Sequence, residues 1–205
     1  MSKKRVAVLI SGRGSNMTAL IEAAKAKDYP AEIVLVVSNR PEAPGLARAR
    51  DAGVETAVVD HAQFGEDREA FERALDGELR AHRIDLVCLA GFMRLLTPWF
   101  VTRWSGRMLN IHPALLPQFK GLQTHRRALA ADVKRHGATV HFVVPEMDAG
   151  PIVAQDSIAV GDGDTEETLA ERVLEVEHRI YPRALRMVAE GRASLVSTGK
   201  QESTR

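Results

Sequence analysis

The first 110 residues alternate between short apolar runs and segments with helical periodicity, and this alternation restricts the fold more than any other feature. The apolar runs are residues 6–10, 33–37, 56–59, 86–90 and 108–111. The segments with helical periodicity are residues 17–27, 44–52, 67–83 and 98–104. Strands that alternate with helices form a parallel sheet covered by helices on both faces. The sequence therefore predicts an α/β fold with a doubly wound, mostly parallel open sheet.

The alternation changes after residue 110. Residues 138–144 and 152–158 are both strand-like, and the loop between them contains Pro145, Gly150 and Pro151. Two strands that follow each other without a helix between them pair antiparallel. We therefore expect an antiparallel pair at the C-terminal side of the sheet, with a joining loop too elaborate for a tight hairpin.

A long helix and then a polar tail are predicted for the rest of the chain. Asp164-Thr165-Glu166-Glu167 is typical of an N-cap followed by an acidic residue, and apolar residues then recur at helical spacing. Pro182 lies inside this pattern and is expected to kink or interrupt the helix. Because no linker divides the chain, we expect one domain over residues 1–193 and a frayed tail over residues 194–205.

Composition argues against nucleic-acid-binding, membrane and secreted proteins. The chain has 28 Lys and Arg against 27 Asp and Glu, so its net charge of +1 gives no basis for binding a polyanion. The single Cys88 lies in an apolar run, which predicts a core residue and suits a reducing compartment. No apolar stretch approaches the ~20 residues of a membrane span. Residues 1–5 lead directly into a strand rather than a signal peptide, so we expect a cytoplasmic protein.

A glycine-rich loop, Ser11-Gly12-Arg13-Gly14-Ser15-Asn16, lies between the first strand and the first helix. Glycines allow close approach to the backbone, and the N-terminus of a helix favours an anion. The loop lacks the third glycine of a dinucleotide-binding loop and the Gly-Lys-Ser/Thr ending of a nucleotide triphosphate loop. A single phosphate monoester, held by Gly14, Ser15 and Asn16, fits these residues. The alternative is an ordinary glycine turn in which Ser15 or Asn16 caps the helix.

Three polar residues next to structure-breaking positions are candidates for catalysis. Asn110 and His112 follow the fifth strand, and Asp148 lies in the Asp-Ala-Gly-Pro loop. An Asn amide can donate to an oxyanion, a His can move a proton, and a carboxylate can set the charge of that His. The alternative is that Asn110 and His112 bond loop backbone while Asp148 caps a turn. No Gly-x-Ser-x-Gly elbow and no metal-ligand spacing are present, so neither a covalent intermediate nor a metal is indicated.

Glu177 projects onto the apolar side of the predicted C-terminal helix. A carboxylate is rarely buried without a partner. Either Glu177 pairs with an Arg or lies at the boundary of the core, or it points into the site and holds an ammonium or amide of a substrate.

Four blocks of sequence together resemble the phosphoribosylglycinamide formyltransferase family of folate-dependent enzymes. They are the Ser11–Asn16 loop, Leu89-Ala90-Gly91-Phe92-Met93-Arg94-Leu95-Leu96, Leu109-Asn110-Ile111-His112-Pro113, and the segment from Val140 to Pro151. The resemblance covers about residues 5 to 192 and implies a Rossmann-like formyltransferase fold. It implies formyl transfer from 10-formyltetrahydrofolate to the amine of glycinamide ribonucleotide in purine biosynthesis, by direct attack. It implies no metal, no nucleic acid partner and no membrane, and a monomer or homodimer.

The resemblance also implies roles for individual residues. Gly14, Ser15 and Asn16 would hold the ribose 5-phosphate, Glu177 would contact the glycinamide, and Asn110, His112 and Asp148 would be catalytic. The folate would be bound by Arg68, Met93, Arg94, Leu95, Leu96, Asn110, Val144, Glu146 and Asp148. Two positions differ from the common pattern of the family: Gln123 stands where some members have His, and Ala114 where Ser is common.

Three other functions are compatible with parts of the pattern. Methionyl-tRNA formyltransferase shares the Asn-x-His-Pro block but carries a C-terminal nucleic-acid-binding domain, which we do not expect here. Formyltetrahydrofolate deformylase carries an additional N-terminal domain, which we do not expect either. A non-enzymatic binding module would have no reason to keep Asn110, His112 and Asp148 together, so the three residues favour an enzyme.

Overall fold

The computed structural model describes residues 2–195, which form one seven-stranded sheet with helices on both faces. The strands are β1 (Lys4–Ile10), β2 (Ala31–Ser38), β3 (Glu55–Val58), β4 (Leu86–Leu89), β5 (Met108–His112), β6 (Arg135–Phe142) and β7 (Ile152–Ala159). The helices are α1 (Ser15–Ala24), α2 (Pro44–Asp51), α3 (Arg68–Ala81), α4 (Pro98–Arg103), α5 (Thr124–Ala130) and α6 (Glu166–Ala189), with a 3-10 helix at His61–Phe64. The predicted tail, residues 194–205, lies outside the described residues from residue 196 on.

The order of the strands in the sheet is β3-β2-β1-β4-β5-β6-β7. The first five strands are parallel, and both β5–β6 and β6–β7 pair antiparallel. This confirms the predicted mostly parallel sheet with antiparallel C-terminal strands. Between β1 and β4 the winding reverses direction, which is the point where open α/β sheets bind ligands.

Two hydrophobic cores lie on opposite faces of the sheet. One is formed under α1, α2 and α6, and the other under α3 and α4. Alternate residues of the central strands point to the two cores, as in Val6, Val8 and Ile10 on one face and Ala7 and Leu9 on the other. Each buried aliphatic side chain contributes about 1.5–3 kcal/mol, so the sheet is a rigid base for the loops at its edge.

Helix α6 continues through Pro182 to Ala189, so the expected interruption is wrong. A proline inside a helix removes one hydrogen bond and costs about 3 kcal/mol. Around this position Ile180, Tyr181 and Ala184 are completely buried, and the Tyr29 hydroxyl donates to the Pro182 carbonyl at 2.7 Å. Packing on both sides of the proline therefore outweighs the lost bond.

The start of α6 also differs from the prediction by one residue. Thr165, not Asp164, is the N-cap, and its partner in the capping box is Thr168 rather than an acid. Asp164 still contributes, because its carboxylate accepts from the Gly161 N–H and pairs with Arg172.

The β6–β7 connection passes so close to β6 that only glycine fits. A Cβ at Gly150 would lie 1.7 Å from the Phe142 carbonyl oxygen, and one at Gly137 would lie 2.1 Å from that of Asp156. The Phe142 N–H donates to Pro151 O at 2.9 Å, which closes the loop. The loop leaves β6 opposite the amino end of β5, and within it Asp148 lies next to His112, the last residue of β5. None of the helices within residues 2–195 is long and apolar enough to cross a membrane.

Candidate active site

The predicted site residues come together at the carboxyl edge of the parallel strands. The loop after β1 carries Gly14, the loop after β4 begins at Ala90, and β5 ends at His112. Neighbouring strands lie about 5 Å apart, so these three segments form one rim about 10 Å wide. The loop that carries Asp148 and the middle of α6 border the same rim.

The glycine loop has the geometry of an anion site. Gly14 is the N-cap of α1 with φ of 72°, and it makes no side-chain cap hydrogen bond. Ser15 and Asn16 are the first residues of the helix, so the alternative in which one of them is the cap is wrong. The first N–H groups of an α-helix have no partner within the helix, and those of Ser15 and Asn16 are in position to bind an oxyanion.

Asn16 and Glu177 form a buried pair between α1 and α6. The Asn16 Nδ2 donates to Glu177 Oε2 at 2.5 Å, and Asn16 Oδ1 is buried without a partner among residues 2–195. Burial raises the pKa of the Glu177 carboxyl, and the hydrogen bond from Asn16 opposes this. Within the described residues Glu177 has no ion pair, so the predicted alternative of an Arg partner is wrong. The carboxylate thus has a hydrogen bond from Asn16 but no cation beside it among the described residues, and it can accept an incoming cation or N–H donor.

Asn110, His112 and Asp148 lie together, and a fourth residue, His141, joins them. The pairing of β5 with β6 places Asn110 opposite His141, and the Asn110 Nδ2 lies 3.3 Å from His141 Nε2. The His141 Nδ1 bonds the Phe142 carbonyl at 2.9 Å, which fixes the proton of the neutral ring on Nδ1. Nε2 then accepts one N–H of the Asn110 amide, and the second N–H remains for a ligand.

Asp148 lies between the two imidazoles. Its Oδ2 is 3.4 Å from His112 Nδ1 and accepts the Gly121 N–H at 2.8 Å, and its Oδ1 is 3.7 Å from His141 Nε2. The residue has a left-handed backbone, with φ of 49°. Such a conformation is uncommon outside glycine and is found at functional sites.

The charges of His112 and Asp148 suit the uptake of one proton. Burial lowers the pKa of the His112 imidazole, and the Phe119 carbonyl and Asp148 oppose but do not cancel this effect. Burial raises the pKa of Asp148, but contacts with His141, the Gly121 N–H and His112 outweigh it and hold this pKa below its usual value. At neutral pH the pair is therefore an anionic carboxylate beside a neutral imidazole. Because His112 Nε2 donates to Phe119 O at 3.0 Å, Nδ1 is free to receive a proton next to Asp148.

Polar side chains of β6 and β7 hold the segment that follows His112. The Thr139 hydroxyl donates to Ala114 O at 2.6 Å and accepts from the Leu116 N–H at 3.2 Å. The Gln155 amide donates to both Leu116 O and Thr139. His112 thus lies at the start of a fixed turn, although Ala114 has no hydroxyl of its own.

The residues predicted to bind folate border the site on the α3 side. Met93 and Leu95 are 69% and 59% exposed, which is unusual for large apolar side chains. Arg68 begins α3, and the Arg94 guanidinium lies 5.0 Å from the ring of Phe71, one turn further along α3. Arg94 and Arg68 are therefore at the same end of that helix. Val144 is half-buried and Glu146 exposed on the β6–β7 loop, and the preceding Val143 packs against the same core as Leu96.

Two further residues, Ser11 and Glu72, hold the segment that contains Met93 and Thr97, and neither was predicted. The Ser11 hydroxyl accepts the Met93 N–H at 2.8 Å and donates to Asn39 at 2.6 Å, so it joins the glycine loop to the Met93 segment. The buried Glu72 accepts the Thr97 N–H at 2.6 Å and also the Thr97 hydroxyl. A Glu at a core-facing position of α3 was a signal comparable to Glu177, whereas nothing in the sequence singles out Ser11 within its loop.

Other predicted features have clear outcomes. Gln123 is exposed and is the left-handed N-cap of α5, where it makes no side-chain cap bond. Cys88 is fully buried, and burial raises its pKa to about 12, so the prediction of a core residue is confirmed. Within residues 2–195 no group of three or more His, Cys, Asp or Glu could hold a metal ion.

The fold is that of an open α/β protein, and at the switch point of its sheet lie a helix N-terminus, an amide donor and a histidine beside a carboxylate. A family model described as formyl transferase matches residues 4–185, and the chain belongs to the formyl transferase family. The fold and family predicted from the sequence are thereby confirmed.

Individual relatives give a finer comparison. The chain is 45% identical to phosphoribosylglycinamide formyltransferase of Escherichia coli, covering 93% of this chain and 89% of that protein. It is 51% identical to the trifunctional purine biosynthetic protein adenosine-3 of Gallus gallus over 97% of this chain, and it spans only 20% of the length of that relative. The crystal structure of phosphoribosylglycinamide formyltransferase from Brucella melitensis has a TM-score of 0.88 and 53% identity, covering 92% of this chain and 96% of that one.

Proposed function

We propose that this protein transfers the formyl group of 10-formyltetrahydrofolate to the amine of glycinamide ribonucleotide. The single observation that carries the proposal is the group of Asn110, His112 and Asp148 beside an anion-binding helix end, in a member of the formyl transferase family. The names of the E. coli and B. melitensis relatives, which this chain matches over most of their length, support the same acceptor.

The positions of the acceptor-binding residues support their proposed roles. The ribose 5-phosphate is bound by the loop of Gly14, Ser15 and Asn16, mainly through backbone N–H groups, because the Asn16 amide is engaged by Glu177. Glu177 is hydrogen-bonded to Asn16 of that loop, and it accepts N–H groups of the glycinamide. The phosphate and the glycinamide of one small molecule would thereby be bound at two ends of one site.

The chemical step is a direct attack of the amine on the formyl carbon, through a tetrahedral intermediate. The bond from this carbon to N10 of the folate then breaks, and N10 takes up a proton from His112 as tetrahydrofolate leaves. The free N–H of Asn110 donates to the developing oxyanion, an effect of about 3 kcal/mol for donors of this type. The proton of the attacking amine passes to the pair of Asp148 and His112, whose Nδ1 is 3.4 Å from the carboxylate. His112 also places positive charge near the oxyanion once it is protonated.

The folate is bound on the opposite side of the reacting carbon. Met93, Leu95 and Leu96 contact its apolar part, Val144 and Glu146 contribute the backbone of the β6–β7 loop, and Arg68 and Arg94 bind its glutamate. Exposed apolar side chains beside two arginines fit a ligand with an aromatic body and an anionic end. We also propose a cytoplasmic location, a single domain over residues 1–193, and a monomer or homodimer.

The function is tested by mixing the purified protein with glycinamide ribonucleotide and 10-formyltetrahydrofolate and following the loss of the formyl folate. We expect transfer to the amine, and an Asn110→Ala variant that still binds both ligands but turns over about 100-fold more slowly. Formyl release to water alone, or transfer to methionyl-tRNA, would identify one of the other functions of this fold and reject the proposal.

A further inference from the structure

The segment of residues 119–122 makes a backbone contact with each member of the His112–Asp148 pair. The Phe119 carbonyl accepts from His112 Nε2 at 3.0 Å, and the Gly121 N–H donates to Asp148 Oδ2 at 2.8 Å. The first contact leaves His112 Nδ1 facing Asp148, and the second favours the ionised carboxylate. The orientation and charge of the pair therefore depend on where this segment lies.

The backbone of the segment is not held by secondary structure. Within residues 2–195 no hydrogen bond between backbone groups includes residues 119–122. Phe119 and Gly121 have left-handed backbones, with φ of 53° and 80°. For a bulky residue such as Phe this conformation is an outlier, and it persists only where the surroundings impose it. Side chains must therefore hold the segment in place.

Arg127 provides the hydrogen bonds that the catalytic pair does not. Its guanidinium extends back from α5 over the segment, where Nη1 donates to Lys120 O at 2.6 Å and to Leu122 O at 3.3 Å. Its Cζ also lies 5.6 Å from the centre of the Phe119 ring. Four hydrogen bonds hold the backbone of residues 119–122 within the described part of the chain, and two of them come from Arg127.

The side chain of Arg127 has no other partner of opposite charge. It is exposed, and it forms no ion pair within residues 2–195. Its helix is fixed to the core by the buried Thr124 and Ala128. Its charge is close enough to His112 to lower the pKa of that imidazole, in addition to the larger effect of burial. All side-chain hydrogen bonds of Arg127 thus connect a fixed helix to the segment that contacts the catalytic pair.

We propose that Arg127 is a positioning residue, which holds residues 119–122 so that the Phe119 carbonyl and the Gly121 N–H stay aligned with His112 and Asp148. This inference rests on the proposed function and adds to it a residue that does not touch the reacting atoms. A different role, in which Arg127 binds an anionic group of a substrate, predicts a change in KM rather than in kcat.

The experiment compares Arg127→Ala and Arg127→Lys with the matched control Arg126→Ala. Arg126 is the preceding residue of the same helix, is exposed, and makes no side-chain hydrogen bond or ion pair within residues 2–195. We expect kcat of Arg127→Ala to be about tenfold lower with both KM values unchanged, because two hydrogen bonds that favour the aligned segment are lost. Arg127→Lys keeps a positively charged donor for the same carbonyls and should recover most of kcat. The control should turn over at the wild-type rate.

A second measurement does not depend on turnover. Hydrogen exchange of the Gly121 N–H, followed by NMR, should be about tenfold faster in Arg127→Ala and unchanged in Arg126→Ala. Equal kcat values for the two alanine variants would overturn the inference. So would a raised KM in place of a lowered kcat, or an unchanged exchange rate at Gly121.

Failure of the proposed function would be recognised separately, as absence of turnover in the wild-type protein. In that case the exchange rate of the Gly121 N–H alone decides whether Arg127 holds the segment. Faster exchange in Arg127→Ala than in Arg126→Ala supports this role, and equal rates contradict it.

Discussion

The buried His136 should make the protein sensitive to acid. Its side chain is fully buried, and neither ring nitrogen has a hydrogen-bond partner among residues 2–195. It packs edge-on against the rings of His125, at 5.3 Å, and Phe119, at 5.9 Å. Burial, together with the charge of His125, lowers the pKa of His136 to about 4, whereas an unfolded chain titrates its histidines near about 6.5.

The sign and size of the effect follow from this difference. Because the unfolded state binds the proton more readily, the contribution of His136 is complete above pH 7 and is lost as the pH falls toward 4. Linkage gives a loss of about 2 kcal/mol in the free energy of unfolding between pH 7 and pH 5 from this residue alone. Burial also lowers the pKa of His125 and of His112, so both add a loss in the same direction.

The assay is urea unfolding followed by circular dichroism at pH 7, 6 and 5 and constant ionic strength. A His136→Leu variant removes the titrating group and should lose about 2 kcal/mol less than the wild-type protein between pH 7 and pH 5. His82→Gln is the control, since a hydrogen bond to the Glu78 carbonyl raises the pKa of His82 and its contribution has the opposite sign. That control should steepen the acid loss. If His136→Leu and wild type lost equal stability over this range, the reasoning would be refuted.

Three substitutions test the site itself. Asp148→Asn should lower kcat by about 100- to 10,000-fold, while the dissociation constant of the folate stays nearly constant. A parallel loss of folate binding would indicate a structural role. Glu177→Gln should raise the KM for glycinamide ribonucleotide about tenfold. It should also raise the thermal midpoint at neutral pH, because burial disfavours the charged form of the Glu177 carboxyl. An unchanged KM would exclude the substrate contact. Glu72→Ala should lower the free energy of unfolding by roughly 2–4 kcal/mol, since it leaves the N–H and hydroxyl of Thr97 without their acceptor; chemical denaturation measures this, and a loss below about 0.5 kcal/mol would contradict it.

The sequence predicted the sheet because every strand of its centre is a continuous apolar run, as at residues 6–10 and 86–90. It predicted a kink or an interruption at Pro182, and the interruption was wrong because the buried Tyr181 and Ala184 hold the helix together. Helix α5 was missed, since it is short and has only two buried residues, Thr124 and Ala128. Short helices without an apolar stripe have little periodicity to detect.

The site could be predicted as a set of residues but not as a set of contacts. Asn110 and His112 are two residues apart at the end of one strand. Such residues point to the same side of a strand, so their proximity could be predicted from the sequence. His141 could not be assigned to them, because its position opposite Asn110 depends on the register of an antiparallel pair. The link from Ser11 to Met93 spans 82 residues and depends on the order of strands β1 and β4, which the sequence alone does not fix.

Gly150 has a consequence for how variation in this protein is interpreted. Any other side chain there would overlap the Phe142 carbonyl, so backbone packing alone is enough to keep the position invariant. Asp148, two residues earlier, would be constrained for a chemical reason if the proposed function is correct. In a library that randomises residues 144–150, selection for folding alone should fix position 150, whereas only selection for turnover should fix position 148. Equal intolerance to substitution at positions 148 and 150 would thus record two unrelated constraints, one on the path of the chain and one on the reaction.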